Sequence, residues 1–177
     1  HTFGFPVELD KIIRLCKKYN ISLVEDASEA LGSFYRKKHL GTFGKIAAIS
    51  FNGNKIITTG GGGMLLTNDK KIAFKAKHLT TTAKKKHKWN YDHDEIGYNY
   101  RLPNINAALG VAQMELLPKI LIAKREIAKI YQDWGNKNDV EFIQEARLTN
   151  ANYWLNTILT KSISERNRLL EYSNKNG

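Results

Sequence analysis

Three groups of residues in this 177-residue chain carry side chains that can do chemistry. Glu25 and Asp26 follow a short apolar segment, Lys55 comes five positions after Ser50, and Asn99 stands in a Gly-Tyr-Asn-Tyr-Arg segment. Acids at the carboxyl ends of strands lie where open α/β sheets bind ligands. A lysine between two apolar segments can serve as an amine nucleophile toward a carbonyl group. Taken singly, the acids are equally typical of an exposed or capping pair, the lysine is more typical of a surface position between strands, and the Asn99 segment is equally typical of a tight turn.

Two common phosphate-binding motifs are excluded by the sequence around these residues. A Walker loop has glycine directly before its lysine and serine or threonine directly after it, but Asn54 and Ile56 flank Lys55. A dinucleotide site needs Gly-x-Gly-x-x-Gly ahead of the acid, and no such segment precedes Asp26. A ligand at these residues must therefore be held in another way.

The content of cysteine and histidine argues against a metal centre. Cys16 is the single cysteine, which excludes an intramolecular disulfide and a cysteine-rich metal site. The histidines lack a spacing that indicates metal ligands, so we expect no bound metal. A single thiol is typical of a reducing compartment, and we expect a cytoplasmic protein.

The chain is strongly basic, since 28 Lys and Arg residues oppose 17 Asp and Glu residues for a net charge of +11. Such a charge suits nucleic acid, an anionic membrane surface or a phosphorylated small molecule. The densest basic run, residues 84–88, has no helical periodicity and is typical of a solvated loop. No nucleic-acid motif accompanies it, and no apolar run approaches the roughly 20 residues of a membrane helix. We expect neither partner, although a basic nucleic-acid-binding or regulatory module remains an alternative.

The hydrophobic pattern alternates helix and strand, which predicts an α/β fold with a mostly parallel sheet. A smaller α+β unit follows it. We expect residues 1–117 to form part of a large domain, residues 118–136 a linking helix, and residues 137–177 the start of a small domain. The predicted helices are 6–19, 69–77, 104–115, 118–134 and 163–176, and the predicted strands are 21–24, 47–51, 56–58, 64–67, 140–143 and 152–160.

In this order, four segments resemble the DegT-type sugar aminotransferases, which are pyridoxal-phosphate (PLP) enzymes of fold type I. The resemblance implies that the α/β part belongs to the large, PLP-binding domain of such an enzyme. It also implies that the chain, which begins with His1, is an internal fragment that is inactive alone. The four segments are Val24–Ser33, Gly41–Gly44, Ser50–Met64 and Gly97–Gly110.

The resemblance assigns roles to five residues. It implies that Lys55 is the Schiff-base lysine, that Asp26 pairs with the pyridine nitrogen, and that Ser50 binds the cofactor phosphate. Glu29, where the family often has Gln or His, is placed on the side of the ring hydroxyl. Asn99 is expected to reach the cofactor phosphate of a partner subunit, which implies a homodimer with shared active sites.

The resemblance also implies a substrate. Glu29, together with Gly61 where many members carry Glu, is similar to the branch that aminates UDP-linked 4-keto-6-deoxy-N-acetylhexosamines. The implied function is transfer of an amino group from glutamate to such a nucleotide sugar, for surface glycan or nonulosonic acid biosynthesis. PLP-dependent sugar dehydratases of the same family are the alternative. They replace the lysine with histidine, so Lys55 favours an aminotransferase.

Overall fold

The computed structural model describes all 177 residues. Its first part holds short strands and two helices, and one long helix leads to the remaining elements. In chain order the elements are α1 (Leu9–Lys18), β1 (Val24–Asp26), β2 (Phe34–Tyr35), β3 (Lys38–His39), β4 (Ile46–Ser50), β5 (Gly63–Leu66), α2 (Lys70–Thr80), α3 (Asn104–Asn138), β6 (Glu141–Phe142), β7 (Thr149–Asn150), β8 (Ile158–Leu159) and α4 (Ile163–Asn176).

The sheet that matters for function is β1-β4-β5. Strand β1 runs parallel to β4, with Asp26 opposite Ala48, so the carboxyl ends of both strands meet at one edge. Strand β5 then runs antiparallel to β4, with Ser50 opposite Gly63. Residues 51–62 connect these two strands and leave from that same edge.

The α/β fold class is confirmed, but parallel pairing in this chain is limited to β1 and β4. The other strand pairs are antiparallel. Residues 51–62 return directly into the sheet without a crossover helix, and a direct return of this kind produces an antiparallel neighbour. The strand predicted at 56–58 is part of this loop, because Thr59 N–H bonds back to Phe51 O and Ile57 is buried in the core.

The hydrophobic core lies between α1, the sheet and the loop after β4. Small, branched and aromatic side chains fill it, so the loop at 51–62 is held on its inner side by apolar packing. The fully or nearly fully buried members are Leu9, Ala27, Ala30, Tyr35, Leu40, Ile49, Phe51 and Ile57.

Helix α3 is continuous over 35 residues, whereas the sequence predicts two helices with a break before Pro118. Its first half is held against the loop after β4, because Asn106 Nδ2 donates to Thr59 O and Gln113 Oε1 accepts Thr58 N–H. These two contacts fix the part of the helix that precedes Pro118. The helix is long and apolar enough, by length and composition, to cross a membrane, with 6% of that stretch buried inside the chain.

The last part of the chain packs back onto the first. Strand β7 pairs with β2, placing Asn150 opposite Phe34, while β6 pairs with β8. The predicted capping of α4 is present, since Ser162 Oγ accepts Glu165 N–H at 3.1 Å. The strand predicted at 152–160 is reduced to Ile158–Leu159, because residues 152–154 direct their polar groups toward the first part of the chain. The division into domains near residue 118 stays a prediction.

Candidate active site

Asp26 and Ser50 are the last residues of two neighbouring parallel strands, β1 and β4. Their register brings both residues to one edge of the sheet, as the sequence predicts for the acid. Ser50 is half-buried, and its Oγ accepts the N–H of Asn52 at 3.3 Å. A hydroxyl and a carboxylate therefore begin the site at the edge where α/β sheets bind ligands.

Lys55 is carried to this edge by the loop after β4. Its backbone N–H donates to Asn52 O at 3.1 Å, which closes a turn directly behind the strand. Its Nζ lies 3.4 Å from Glu29 Oε1, and its side chain is 14% exposed. The other Glu29 oxygen accepts Phe3 N–H at 2.6 Å. The lysine amine is thus largely removed from water and paired with a fixed carboxylate.

Asp26 is held in its ionised form by hydrogen bonds from its own strand end. Its Oδ1 accepts the hydroxyl of Ser28 at 2.6 Å and the backbone N–H of Ser28 at 3.1 Å. These two bonds lower the pKa of Asp26, and the positive charge of Lys55 acts in the same direction. The carboxylate stays exposed and charged, as required for pairing with a protonated nitrogen of a ligand.

Glu25, the other acid of the pair, has a structural task. It is 3% exposed and accepts the backbone N–H groups of Gly41 and Phe43, each at 2.7 Å, together with that of Gly44. The ring of His1 completes its contacts at 3.2 Å. Glu25 therefore fixes the 41–44 loop, and Asp26 is the acid of the pair that is exposed to a ligand.

Two residues near the site were not predicted. Ser28 follows Asp26 at the spacing typical of an Asx turn, so this signal was present in the sequence. Trp154 lies with its ring centroid 4.0 Å from Lys55 Nζ, and its Nε1–H donates to Asn54 O at 2.6 Å. That second contact joins positions 100 residues apart, and no local pattern predicts it.

Asn99 forms no hydrogen bond with the other predicted site residues. Its segment pairs with the end of α2 through a bridge to Thr81 and the bond from Thr82 N–H to Tyr98 O at 3.0 Å. Gly97 makes this approach possible, since a Cβ there would lie 2.3 Å from the carbonyl carbon of Thr82. The Asn99 side chain is exposed and makes no hydrogen bond within the chain. The structure therefore brings Asp26, Glu29, Ser50 and Lys55 to one edge of the sheet, and no contact joins Asn99 to them.

One group of metal-ligating residue types occurs elsewhere, formed by His78, Asp94 and Glu95. His78 Nε2 lies 2.6 Å from Asp94, which lowers the pKa of that carboxyl, and the Lys75 ammonium pairs with Glu95. A hydrogen bond between His78 and Asp94 and an ion pair between Lys75 and Glu95 thus engage these three side chains.

The chemistry of the donor set at the sheet edge suits one kind of cofactor. Lys55 offers an amine for a carbonyl carbon, Asp26 an ionised carboxylate for a basic ring nitrogen, and Ser50 a hydroxyl for a phosphate. A carbonyl carbon, a basic ring nitrogen and a phosphate are the three functional groups of pyridoxal phosphate. The residues present therefore fit that cofactor.

Comparisons with known proteins point to the same chemistry. The model of the DegT/DnrJ/EryC1/StrS aminotransferase family matches residues 1–177. GDP-perosamine synthase of Escherichia coli O157:H7 is 44% identical over 169 residues, covering 96% of this chain and 46% of that protein. UDP-4-amino-4,6-dideoxy-N-acetyl-beta-L-altrosamine transaminase of Campylobacter jejuni (strain 81-176) is 42% identical over 136 residues, covering 76% and 36%.

Among solved structures, Helicobacter pylori PseC, described as an aminotransferase involved in the biosynthesis of pseudoaminic acid, has a TM-score of 0.92 at 30% sequence identity. The match covers 99% of this chain and 48% of PseC. The chain thus spans about half the length, or less, of the proteins that it is similar to.

Proposed function

Because this chain belongs to the DegT/DnrJ/EryC1/StrS aminotransferase family, we propose that it forms the lysine-bearing part of a PLP-dependent sugar-nucleotide aminotransferase. One observation carries the proposal. The Lys55 amine lies beside Glu29, at the sheet edge where Asp26 and Ser50 end their strands. A dehydratase is the weaker alternative, since its family branch has histidine where this chain has Lys55.

The residues divide the work of amino transfer between them. When bound, PLP supplies an electron sink that stabilises a carbanion. Asp26, kept ionised by Ser28, would stabilise a proton on the ring nitrogen through charge pairing. Ser50 would hold the phosphate. The Lys55 amine would hold the cofactor and would act as general base and general acid at the reacting carbon.

Glu29 adds a second partner for the lysine amine. The Oε2 atom of Glu29 accepts Phe3 N–H, which fixes the position of the carboxylate. The Oε1 atom is therefore correctly placed to contact the Lys55 amine when that amine is not bonded to the cofactor. The ammonium form of Lys55 can thus return to the same place in each half of the reaction. Good positioning of a proton-transferring group accounts for a large part of its catalytic effect.

The substrate in this proposal is a UDP-linked 4-keto-6-deoxy-N-acetylhexosamine, with glutamate as the amino donor and surface glycan or nonulosonic acid biosynthesis as the purpose. Similarity to an altrosamine transaminase supports it. A GDP-linked 4-keto sugar is the second candidate, because the chain is 44% identical to a GDP-perosamine synthase over 96% of its length. Both candidates require the same amino transfer and differ in the nucleotide and in the N-acetyl group.

The proposal includes a cytoplasmic homodimer with shared active sites and no nucleic-acid or membrane partner. Asn99 supports the sharing, since its exposed side chain makes no hydrogen bond within its own chain. A second copy can bring it to the cofactor phosphate. In the basic run at 84–88, Lys84 is half-buried and residues 85–88 are exposed and available to a sugar diphosphate. Lys84 lies over the ring of Tyr91, and Lys88 lies over the ring of Trp89.

Reduction with borohydride tests the proposal. The complete protein is loaded with PLP, reduced, digested and mapped by mass spectrometry. We expect the pyridoxyl label on Lys55 and none on Lys70, an exposed lysine at the start of α2. A label on another lysine would disprove the assignment. Glutamate-dependent amination of UDP-linked and GDP-linked 4-keto sugars, measured side by side, then decides the nucleotide.

A further inference from the structure

We propose that Trp154 is a positioning residue for Lys55, which its indole face holds against Glu29 whenever the lysine amine is free. The Lys55 Nζ lies 4.0 Å from the Trp154 ring centroid and 3.4 Å from Glu29 Oε1. The ammonium is therefore enclosed between an aromatic face and a carboxylate. The catalytic meaning of this arrangement rests on the proposed function, whereas the contact itself does not.

The Trp154 ring is fixed before it meets the lysine. Its Nε1–H donates to Asn54 O at 2.6 Å, and its backbone N–H donates to Asn152 Oδ1 at 2.8 Å. Its carbonyl accepts Lys124 Nζ at 3.0 Å, and its side chain is nearly buried. A ring anchored at these points presents one defined face to Lys55.

Burial favours this cation–π contact over the exposed contact between Lys88 and Trp89. Lys88 Nζ also lies 4.8 Å from the ring centroid of a tryptophan, Trp89, but that residue is 73% exposed. Cation–π attraction increases when water is removed from the cation, so the Lys55 contact with its 14% exposed side chain is favoured. The Lys88 pair is a matched control, since it has the same residue types in a solvated setting.

The segment that carries Trp154 also holds the other partner of Lys55. Asn152 is fully buried, and its side-chain amide donates to Glu29 O at 2.7 Å and Leu31 O at 2.9 Å. Its backbone N–H donates to Ser33 Oγ at 2.9 Å. Residues 152–154, which follow β7, thus position both groups that contact the lysine amine.

Competitive acetylation of the cofactor-free complete protein measures this positioning directly. Trace acetic anhydride is added, and the labelling rate of Lys55 is compared with that of Lys70 by mass spectrometry. Because an enclosed ammonium reacts slowly, we expect Trp154→Leu to raise the relative rate at Lys55 about fivefold or more. Trp154→Phe keeps an aromatic face and should give a smaller increase, while Trp89→Leu should give none.

A second readout follows attachment of PLP to Lys55 by visible absorbance after rapid mixing. We expect slower attachment in Trp154→Leu, substantial rescue in Trp154→Phe and no change in Trp89→Leu. A residue that only fills space would give the same result for leucine and phenylalanine, which would overturn the proposal. If the leucine variant does not fold, an unchanged Lys55 acetylation rate in Trp154→Phe would overturn it as well.

The two proposals fail separately in these experiments. Borohydride trapping at a lysine other than Lys55 refutes the proposed function. The acetylation rates in the cofactor-free protein still decide whether Trp154 controls the Lys55 amine. Trapping at Lys55 combined with unchanged acetylation in the Trp154 variants refutes only the positioning role.

Discussion

Glu25 and Asp26 are neighbours in one strand, yet Glu25 is buried under three backbone N–H groups whereas Asp26 is exposed at the sheet edge. Alternation of side chains along a strand separates them onto opposite faces. One acid therefore builds the loop at 41–44, and the other is available to a ligand. The sequence shows the pair, and only the pleat of the strand assigns each member its role.

Replacing Asp26 with asparagine should remove most amino transfer and leave part of the PLP binding. An amide of similar shape no longer favours the protonated ring nitrogen, so the electron sink is weakened. We expect a loss of at least about 100-fold in the single-turnover half-reaction with glutamate. Asp133→Asn, on the exposed face of α3, is the control and should keep the normal rate. A near-normal rate in Asp26→Asn would contradict the role.

Replacing Ser28 with alanine should raise the pKa of Asp26 toward its ordinary value, because the hydroxyl bond is the largest cause of the lowering. A carboxylate with a lowered folded pKa contributes stability above its unfolded pKa and loses it as pH falls through the folded pKa. In Ser28→Ala this loss should begin at higher pH. Titration of the Asp26 carboxyl carbon by NMR measures the shift. Ser173→Ala, whose hydroxyl bonds Leu170 O in α4, should leave the titration unchanged.

Replacing Glu25 with glutamine should destabilise the fold without touching the ligand site directly. The amide places an NH2 group against backbone donors, which leaves at least one of them without an acceptor. We expect the free energy of unfolding to fall by about 1–3 kcal/mol. Denaturant titration of the complete protein measures the change. Glu8→Gln, which removes only an exposed ion pair with Lys11, should alter it by less than about 1 kcal/mol. Equal effects of the two variants would argue against the structural role of Glu25.

Mixing two inactive variants tests whether active sites are shared between subunits. A heterodimer of Lys55→Ala with Asn99→Ala would place both changes in one site and leave the other site with native Lys55 and native Asn99. Activity should then rise above that of either parent, toward about a quarter of wild type if subunits exchange at random and each dimer type forms equally. Native mass spectrometry confirms the heterodimer. No rise in its presence would mean that Asn99 works within its own chain or has no role.

Local sequence was sufficient to predict the structural elements that depend on residues near one another in the chain. Strand β4, the acid at the end of β1 and the capping of α4 by Ser162 all follow from short apolar runs and capping chemistry. The order of the four motifs was sufficient to predict the family, which the match of the family model confirms. The roles proposed for Lys55 and Asp26 follow from that resemblance.

Tertiary structure alone decided the contacts that join distant parts of the chain. Helix α3 continues through Pro118 and is hydrogen-bonded to the loop after β4, and that loop returns the chain to the sheet so that β5 runs antiparallel to β4. The enclosure of Lys55 by Glu29 and Trp154 joins three separate segments. Local periodicity reports how a residue relates to its near neighbours, whereas these contacts form only when burial of a common core brings remote segments together.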